Sequence, residues 1–324
     1  MKTKKVLAYD LGGTKVHVGV VDETGRVLTE QRVPVVVEQG KNAVINQLAE
    51  LGREYLKHYP EIRQVGLASA GPLDPIRGLL LDPTNIANPS DPKKSWGKVP
   101  IAKILGQKLK RNVTLENDAA AAMLAEHWLG KAKKYDNAMI LTLGTGLGTG
   151  IFCNGSLLRS GRFLHPEAGH IIIRADDQSA PCGCGNLGCA EAFLSGRSFT
   201  RRNRPRFARA DYLAADITEL AKSGDPRGLA AFKEYAELMA IAITNYVVCY
   251  SPEIVVFSGS FAAAADLFMP QTTEHLKVFL KRRRVGVDLL PKLAVSSLDN
   301  KAGLIGGAYV AFKQMSGKNF PKKK

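Results

Sequence analysis

No stretch of this chain approaches the roughly eighteen to twenty apolar residues that a membrane-spanning helix needs. The longest apolar-rich segment, Leu238 to Tyr250, is broken by Thr244 and Asn245 and reads as a buried helix. No charged-then-apolar leader is recognisable at the start, so a cytoplasmic protein with no membrane partner is expected. The Walker spacing Gly-x4-Gly-Lys-Ser/Thr is absent, which excludes a P-loop phosphate site. Cysteine is scarce, and its count of five is odd. With three of them in a metal-ligand pattern, this suits a reducing cytoplasm better than a secreted disulfide scaffold. The net charge is +15, yet the basic runs have no interleaved aromatics and no helix-turn-helix pattern nearby. A solvated surface is therefore expected at Lys2 to Lys5, Arg201 to Arg206, Lys281 to Arg284 and Lys322 to Lys324, and no nucleic-acid partner.

A chain of 324 residues exceeds the size at which single cores stop growing, about 250–300 residues, so two domains are expected. The most informative stretch runs from Leu164 to Glu191. It holds His170, Cys182, Cys184 and Cys189, and three thiolates with one imidazole form a closed tetrahedral set for structural zinc. Gly183, Gly185 and Gly188 let the backbone fold tightly enough for the sulfurs to converge. Glu167 and Glu191 flank the ligands, so the metal would scaffold a polar small-molecule site.

Two further stretches echo each other. Val6 to Asp10 reads as a strand, followed by Leu11-Gly12-Gly13-Thr14-Lys15 and a second strand, Val16 to Val21. Ala138 to Leu143 is another strand, followed by a glycine turn from Gly144 to Gly150 and a strand to Cys153. That second cluster neither has Gly-x-Gly-x-x-Gly spacing nor precedes a helix, which disfavours a dinucleotide fold. Two α/β halves that each offer a glycine turn would grip one polyphosphate from both sides. Helices are expected at Lys41 to Tyr59, Ile101 to Leu109, Ala119 to Leu129, Tyr212 to Ser223, Arg227 to Tyr250 and Ala302 to Met315, the first from its apolar periodicity. A long loop spans Asp74 to Pro100, and Arg197 to Arg209 reads as a basic loop. Between a strand at Val113 to Leu115 and the alanine-rich helix sits Glu116-Asn117-Asp118. Asn117 and Asp118 read first as a helix cap, and a second reading can hold beside it, with Asn117 capping while Asp118 points into a cleft, well placed for a general base.

These motifs carry a resemblance. Glu-x-Gly-His followed by Cys-x-Cys-Gly-x-x-Gly-Cys-x-Glu, at Glu167 to Glu191, resembles the signature of the ROK sugar kinases (repressors, open reading frames and kinases). Asp10-x-Gly-Gly-Thr-Lys and the Gly144 turn are similar to the two phosphate loops of the actin-like, hexokinase-like and Hsp70-like ATPases. The resemblance implies an α/β fold of two actin-like (ribonuclease H-like) domains around a cleft. The small domain would take 1–117 plus a C-terminal helix at about 301–315, the large domain 118–300, and a basic tail 316–324. A kinase is implied rather than a repressor, since a repressor's helix-turn-helix domain would precede the first phosphate loop.

The implied chemistry is ATP- and Mg2+-dependent phosphorylation of a hexose, with zinc structural and Asp118 as base. Gly71, Asn85, Asn117, Asp118, Glu167, His170 and Glu191 would hold the sugar, with Trp96 helping to form the pocket. Asp10 would assist magnesium, while Gly12, Gly13, Thr14, Lys15, Gly144, Thr145, Gly146 and Gly148 hold phosphates and Gly259 lies by the adenosine. Two departures bear on substrate contacts: Ala120 stands where many relatives have a second Asn, and His165-Pro166 replaces a common Ala-Gly. Glucose is the favoured sugar, ahead of fructose or mannose and then N-acetylated hexosamines. A homodimer is implied, and a non-catalytic sugar-sensing regulator is the alternative of another class.

Overall fold

The first strand, β1 (Lys5–Leu11), is buried along most of its length, and β2 (Lys15–Asp22) is buried at every residue but the first. Near-continuous apolar sequence suits strands covered on both faces. By contrast β3 (Val27–Pro34) alternates half-buried and exposed residues, as an edge strand should. This is a computed structural model, and it describes residues 3–83, 86, 95–161, 164–207, 211–281 and 286–315.

After β3 the chain forms α1 (Lys41–His58), β4 (Gln64–Ser69), the short strands β5 (Leu73–Asp74), β6 (Leu79–Leu81) and β7 (Lys98–Val99), then α2 (Ile101–Leu109), β8 (Asn112–Asn117) and α3 (Asp118–Trp128). The main sheet has the order β3-β2-β1-β4-β8. Only β1, β4 and β8 run parallel, and their register aligns Leu11, Ser69 and Asn117 across the three strands. Three parallel strands therefore end level, and the loops that leave them share one edge. The apolar face of α1, with Val44, Ile45, Leu48, Tyr55 and Leu56, joins the core against that sheet.

The second part contains β9 (Ala138–Leu143), β10 (Leu147–Cys153), β11 (Ser156–Leu157), α4 (Ala190–Leu194), α5 (Gly196–Asn203), α6 (Ala214–Lys222), α7 (Pro226–Tyr250), β12 (Ile254–Ser258), α8 (Ala265–Lys281) and β13 (Lys292–Val295). Its sheet order is β11-β10-β9-β12-β13, with β9, β12 and β13 parallel. Asp225 caps α7 by accepting from the amides of Arg227 and Gly228, and Pro226 fills the first helical position. The core here is aromatic: Phe199 packs 4.8 Å from both Phe232 and Phe261, and Tyr235 4.9 Å from Phe268.

The last helix, α9 (Ala302–Met315), returns to the first sheet. A side chain on Gly66 of β4 would lie 1.9 Å from the Gly307 carbonyl of α9, and one on Gly306 equally close to the Ala121 carbonyl of α3. Only glycine permits that approach.

Two compact units result, Met1–Gly130 with Arg159–His165 and Lys301–Lys324, and Lys131–Leu158 with Pro166–Asn300. The boundary read at 117/118 therefore moves to 130/131. The cause is α3, whose residues Ala119 to Glu126 are buried and whose backbone meets α9. Residues 159–165 also belong to the first unit. The expected loop from Arg197 to Arg209 is instead α5 followed by a 3-10 turn at Arg204–Arg206. Ser195 starts it by accepting from the Ser198 amide at 3.1 Å, and buried Phe199 anchors it. Residues 282–285 and the basic tail lie outside the described residues. Among the described residues no helix is long and apolar enough to cross a membrane.

Candidate active site

In the first unit the level strand ends gather the residues that the sequence singled out. Asp10 is the next-to-last residue of β1, and Asn117 and Asp118 join β8 to α3. Burial first, and then the charge of Asp118, push the Asp10 carboxyl up to about 7, with Arg32 opposing. Two acidic groups are thus held close enough to feel each other in a poorly hydrated place. Gly303, at the start of α9, lies against that carboxylate, since a Cβ there would fall 2.3 Å from Asp10 Oδ2.

Asn117 does cap α3: its Oδ1 accepts from the Ala120 amide at 3.0 Å. This leaves Asp118 at the first helical position, where its Oδ1 accepts from the Ala119 amide at 2.8 Å. Gly71 lies just past β4 and is joined to Pro72 by a cis peptide bond. A Cβ on Gly71 would lie 3.4 Å from both Asn117 Nδ2 and His165 Cε1, so these three residues adjoin. Behind them Glu116, fully buried, takes the Arg159 guanidinium on both its oxygens. The first glycine turn closes with Gly12 N donating to Lys15 O at 3.1 Å, and Thr14 and Lys15 remain exposed. Asn85 lies outside the described residues. Trp96 is buried in the core, and its amide donates to Asp82 at 2.8 Å.

In the second unit the four ligand-type side chains converge. The ligand atoms of His170, Cys182, Cys184 and Cys189 all lie within 4.8 Å of one another, with Cys182 Sγ 3.4 Å from His170 Nδ1 and Cys184 Sγ 3.7 Å from Cys189 Sγ. Sulfurs about 2.3 Å from a tetrahedral zinc would sit about 3.7–3.8 Å apart, so the set fits that ion. Gly188 permits the fold, because at φ 72° its Cβ would strike the Arg174 carbonyl. Burial raises the Cys182 and Cys189 thiols, whereas at Cys184 burial is outweighed by hydrogen bonds from Asn186 and the other thiols.

Glu191 connects this cluster to the second glycine turn. Cys182 Sγ lies 3.6 Å from its Oε1, while Oε2 accepts from the Leu147 amide at 2.9 Å. A Cβ on Gly146 would come 2.6 Å from that oxygen. Glu167 is exposed at the start of the 3-10 turn that ends in His170. Gly144 N donates to Gly146 O, and Gly196 N at the start of α5 donates to Gly144 O at 2.9 Å. Gly148 falls inside β10, paired opposite Thr142, beyond the turn itself. Gly259, at φ 87°, lies on the end of β9, where a Cβ would meet the Leu143 carbonyl at 2.5 Å.

Between Gly144-Thr145, the start of α5, α6 and the turn after Gly259 opens a cavity of about 930 Å³. Arg197, Arg201 and Arg204 of the supposed solvated loop line it, with Lys222. Arg202, alongside, bonds Glu234 at 3.0 Å and stacks 4.5 Å over Phe193. The sequence reading missed these arginines, and also Gly303 and the Glu116–Arg159 pair. The only local signal was the four-residue spacing of Arg197 and Arg201, which places both on one face of α5, with Arg204 just past its end.

Residues 6–314 match the ROK family. The chain is 31% identical to a glucokinase of Streptomyces coelicolor, over 94% of this chain and 96% of that one. It is 30% identical to an N-acetyl-D-glucosamine kinase of Citrobacter koseri, over 93% and 97%. A ROK glucokinase from Streptomyces griseus, solved in complex with glucose and AMPPNP, superposes with a TM-score of 0.79 at 26% identity, over 96% and 100%. With a match that runs from the first strand into the last helix, and with the Cys/His cluster folded as its spacing implies, the chain belongs to the ROK family.

Proposed function

We propose that this chain is an ATP-dependent hexose kinase that transfers the γ-phosphoryl group of ATP to a sugar hydroxyl, with glucose 6-phosphate the expected product. The observation that carries the reading is the level edge of β1, β4 and β8, which gathers Asp10, Gly71, Asn117 and Asp118. Asp118 accepts the hydroxyl proton as the sugar oxygen attacks the γ-phosphorus in line; the new O–P bond forms as the bond to ADP breaks. Asn117 spends its Oδ1 on Ala120, so its Nδ2 is the group that meets a ligand beside Gly71. Glu167 and Glu191 accept from the sugar's hydroxyls, and His170, with one ring nitrogen turned to zinc, donates its remaining N–H to a sugar oxygen.

Magnesium, held with the help of Asp10, supplies charge neutralisation on the phosphates. The first turn (Gly12, Gly13, Thr14, Lys15) and the second (Gly144, Thr145, Gly146, with Gly148) hold the phosphate oxygens, and the cavity by Gly259 holds the nucleoside. His170, Cys182, Cys184 and Cys189 bind a structural zinc, supported by their spacing in the fold. Three thiols that must stay reduced to hold zinc suit the cytoplasm, and the family resemblance supports a homodimer.

The Citrobacter relative gives N-acetylhexosamine kinase a claim as the second reading. ADP release with magnesium and ATP, measured across glucose, fructose, mannose, N-acetylglucosamine and N-acetylmannosamine, separates them. Turnover greatest with glucose supports the first reading, and turnover greatest with N-acetylglucosamine the second. If no sugar gives turnover with zinc-loaded protein, the kinase reading falls and a sugar-sensing regulator takes its place.

A further inference from the structure

We infer that Arg159 is a positioning residue for the catalytic base, acting through Glu116; the inference rests on the kinase reading above. Glu116 is the last residue before Asn117-Asp118, and its side chain is wholly buried. Its Oε1 accepts from Arg159 Nη1 at 3.0 Å and its Oε2 from Nη2, a forked pair. The same Oε1 accepts from the Asn117 amide at 2.9 Å. One carboxylate thus holds the backbone at the residue that caps α3, and one guanidinium fixes that carboxylate in its plane. Asp118 comes next along the chain, at the first position of the helix that Asn117 caps.

Other contacts point to placement of the strand-to-helix junction rather than to general stability. Arg159 begins the segment 159–165, which belongs to the first unit although the chain on both sides of it belongs to the second. Its Ser160 amide donates to Leu164 O at 2.8 Å, closing a turn. The segment ends at His165, beside Gly71 and Asn117. Both described ends of this excursion therefore meet the Glu116–Asp118 junction or its neighbour, one by charge and one by packing. A lysine could neutralise Glu116 but could not fill both oxygens in one plane, because its ammonium is a point charge. The fork, more than the charge, would set the junction's geometry, and misplacement of about 1 Å at a reacting group can cost on the order of 100-fold.

The test compares wild type, Arg159→Lys, Arg159→Met and the double variant Glu116→Gln/Arg159→Met in zinc-loaded full-length enzyme. Melting temperature, kcat, and KM for sugar and ATP are read for each. Arg159→Lys should keep its melting temperature within a few degrees, keep both KM values within about threefold, and lose about tenfold or more in kcat. Arg159→Met should lose stability as well, because it leaves Glu116 buried and unpaired. The double variant should regain that stability without regaining kcat. Wild-type kcat in Arg159→Lys, or recovery of kcat together with stability in the double variant, would overturn the inference and leave the kinase reading standing. A wild type with no turnover on any hexose would overturn both.

Discussion

The two sheets share one plan and differ in charge. Each has an antiparallel pair joined by a glycine turn, followed by two parallel strands, in the orders β3-β2-β1-β4-β8 and β11-β10-β9-β12-β13. Laid over each other, Asp10-Leu11-Gly12 corresponds to Thr142-Leu143-Gly144. The position that carries a perturbed carboxylate in the first unit carries a neutral hydroxyl in the second. The first edge adds Asp118, another acid. The second adds arginines from α5. Repeated strand geometry supplies a glycine turn in each unit, while the side chains beside the turns differ, acids at the first and arginines at the second.

Breaking the acidic edge should have the largest effect. Asp118→Asn is expected to lower kcat by on the order of 10² to 10⁴, with sugar affinity by calorimetry little changed; substantial residual turnover would remove Asp118 from the role of base. In the second unit the Cys/His cluster is the support that corresponds to this edge. Cys182→Ser, or stripping with a chelator, should abolish stoichiometric zinc by elemental analysis and lower the melting temperature by about 10 °C or more, since several kcal/mol are lost at roughly 2–4 °C each.

The third effect follows from the Asp10 carboxyl, raised from 3.8 to about 7. The folded state then binds more protons than the unfolded chain between these values, so this group's contribution to stability falls as pH rises from about 4 to about 7. At about 1.4 kcal/mol per pH unit, the loss is at most about 4 kcal/mol. Without magnesium, Asp10→Asn should therefore melt higher than wild type at pH 8, with the gap closing towards pH 4; equal melting curves at pH 8 would contradict the shift. Thr142, uncharged at the matching place, predicts no such window in the second unit.

The smallest effect compares the turns. A Cβ on Gly12 meets only Lys15 O at 3.5 Å, an ordinary contact, whereas on Gly146 it would press within 2.6 Å of Glu191 Oε2. Gly146→Ala should cost about 1–3 kcal/mol by denaturant unfolding and Gly12→Ala less; the reverse order would break the comparison.

Much of this was legible in sequence because it is local. The strand–turn–strand echo, the Asn117 cap and the Cys/His spacing each lie within a few dozen residues, and backbone preferences act at that range. Arg159 and Glu116 are 43 residues apart. Gly303 meets Asp10 from the far end of the chain. No pattern of neighbours announces such pairs; the fold makes them. The helix at Arg197 was hidden by its charge, because the run reads as solvated until Phe193 and Glu234 cover it. The domain boundary slipped because an alanine-rich helix is compatible with either neighbour, and the close approach at Gly306 decides it.

The tie between Glu191, Gly146 and the Leu147 amide has a consequence for descent. A side chain at residue 146 would press on the carboxylate that residue 191 sets on the Leu147 amide, so the two positions are expected to vary together. A loop grafted from a distant cousin without its matching acid, or an acid without its loop, would arrive as half of a joint. Such grafts should fail even where each residue alone is acceptable, and lineages that change one position should be found to have changed both.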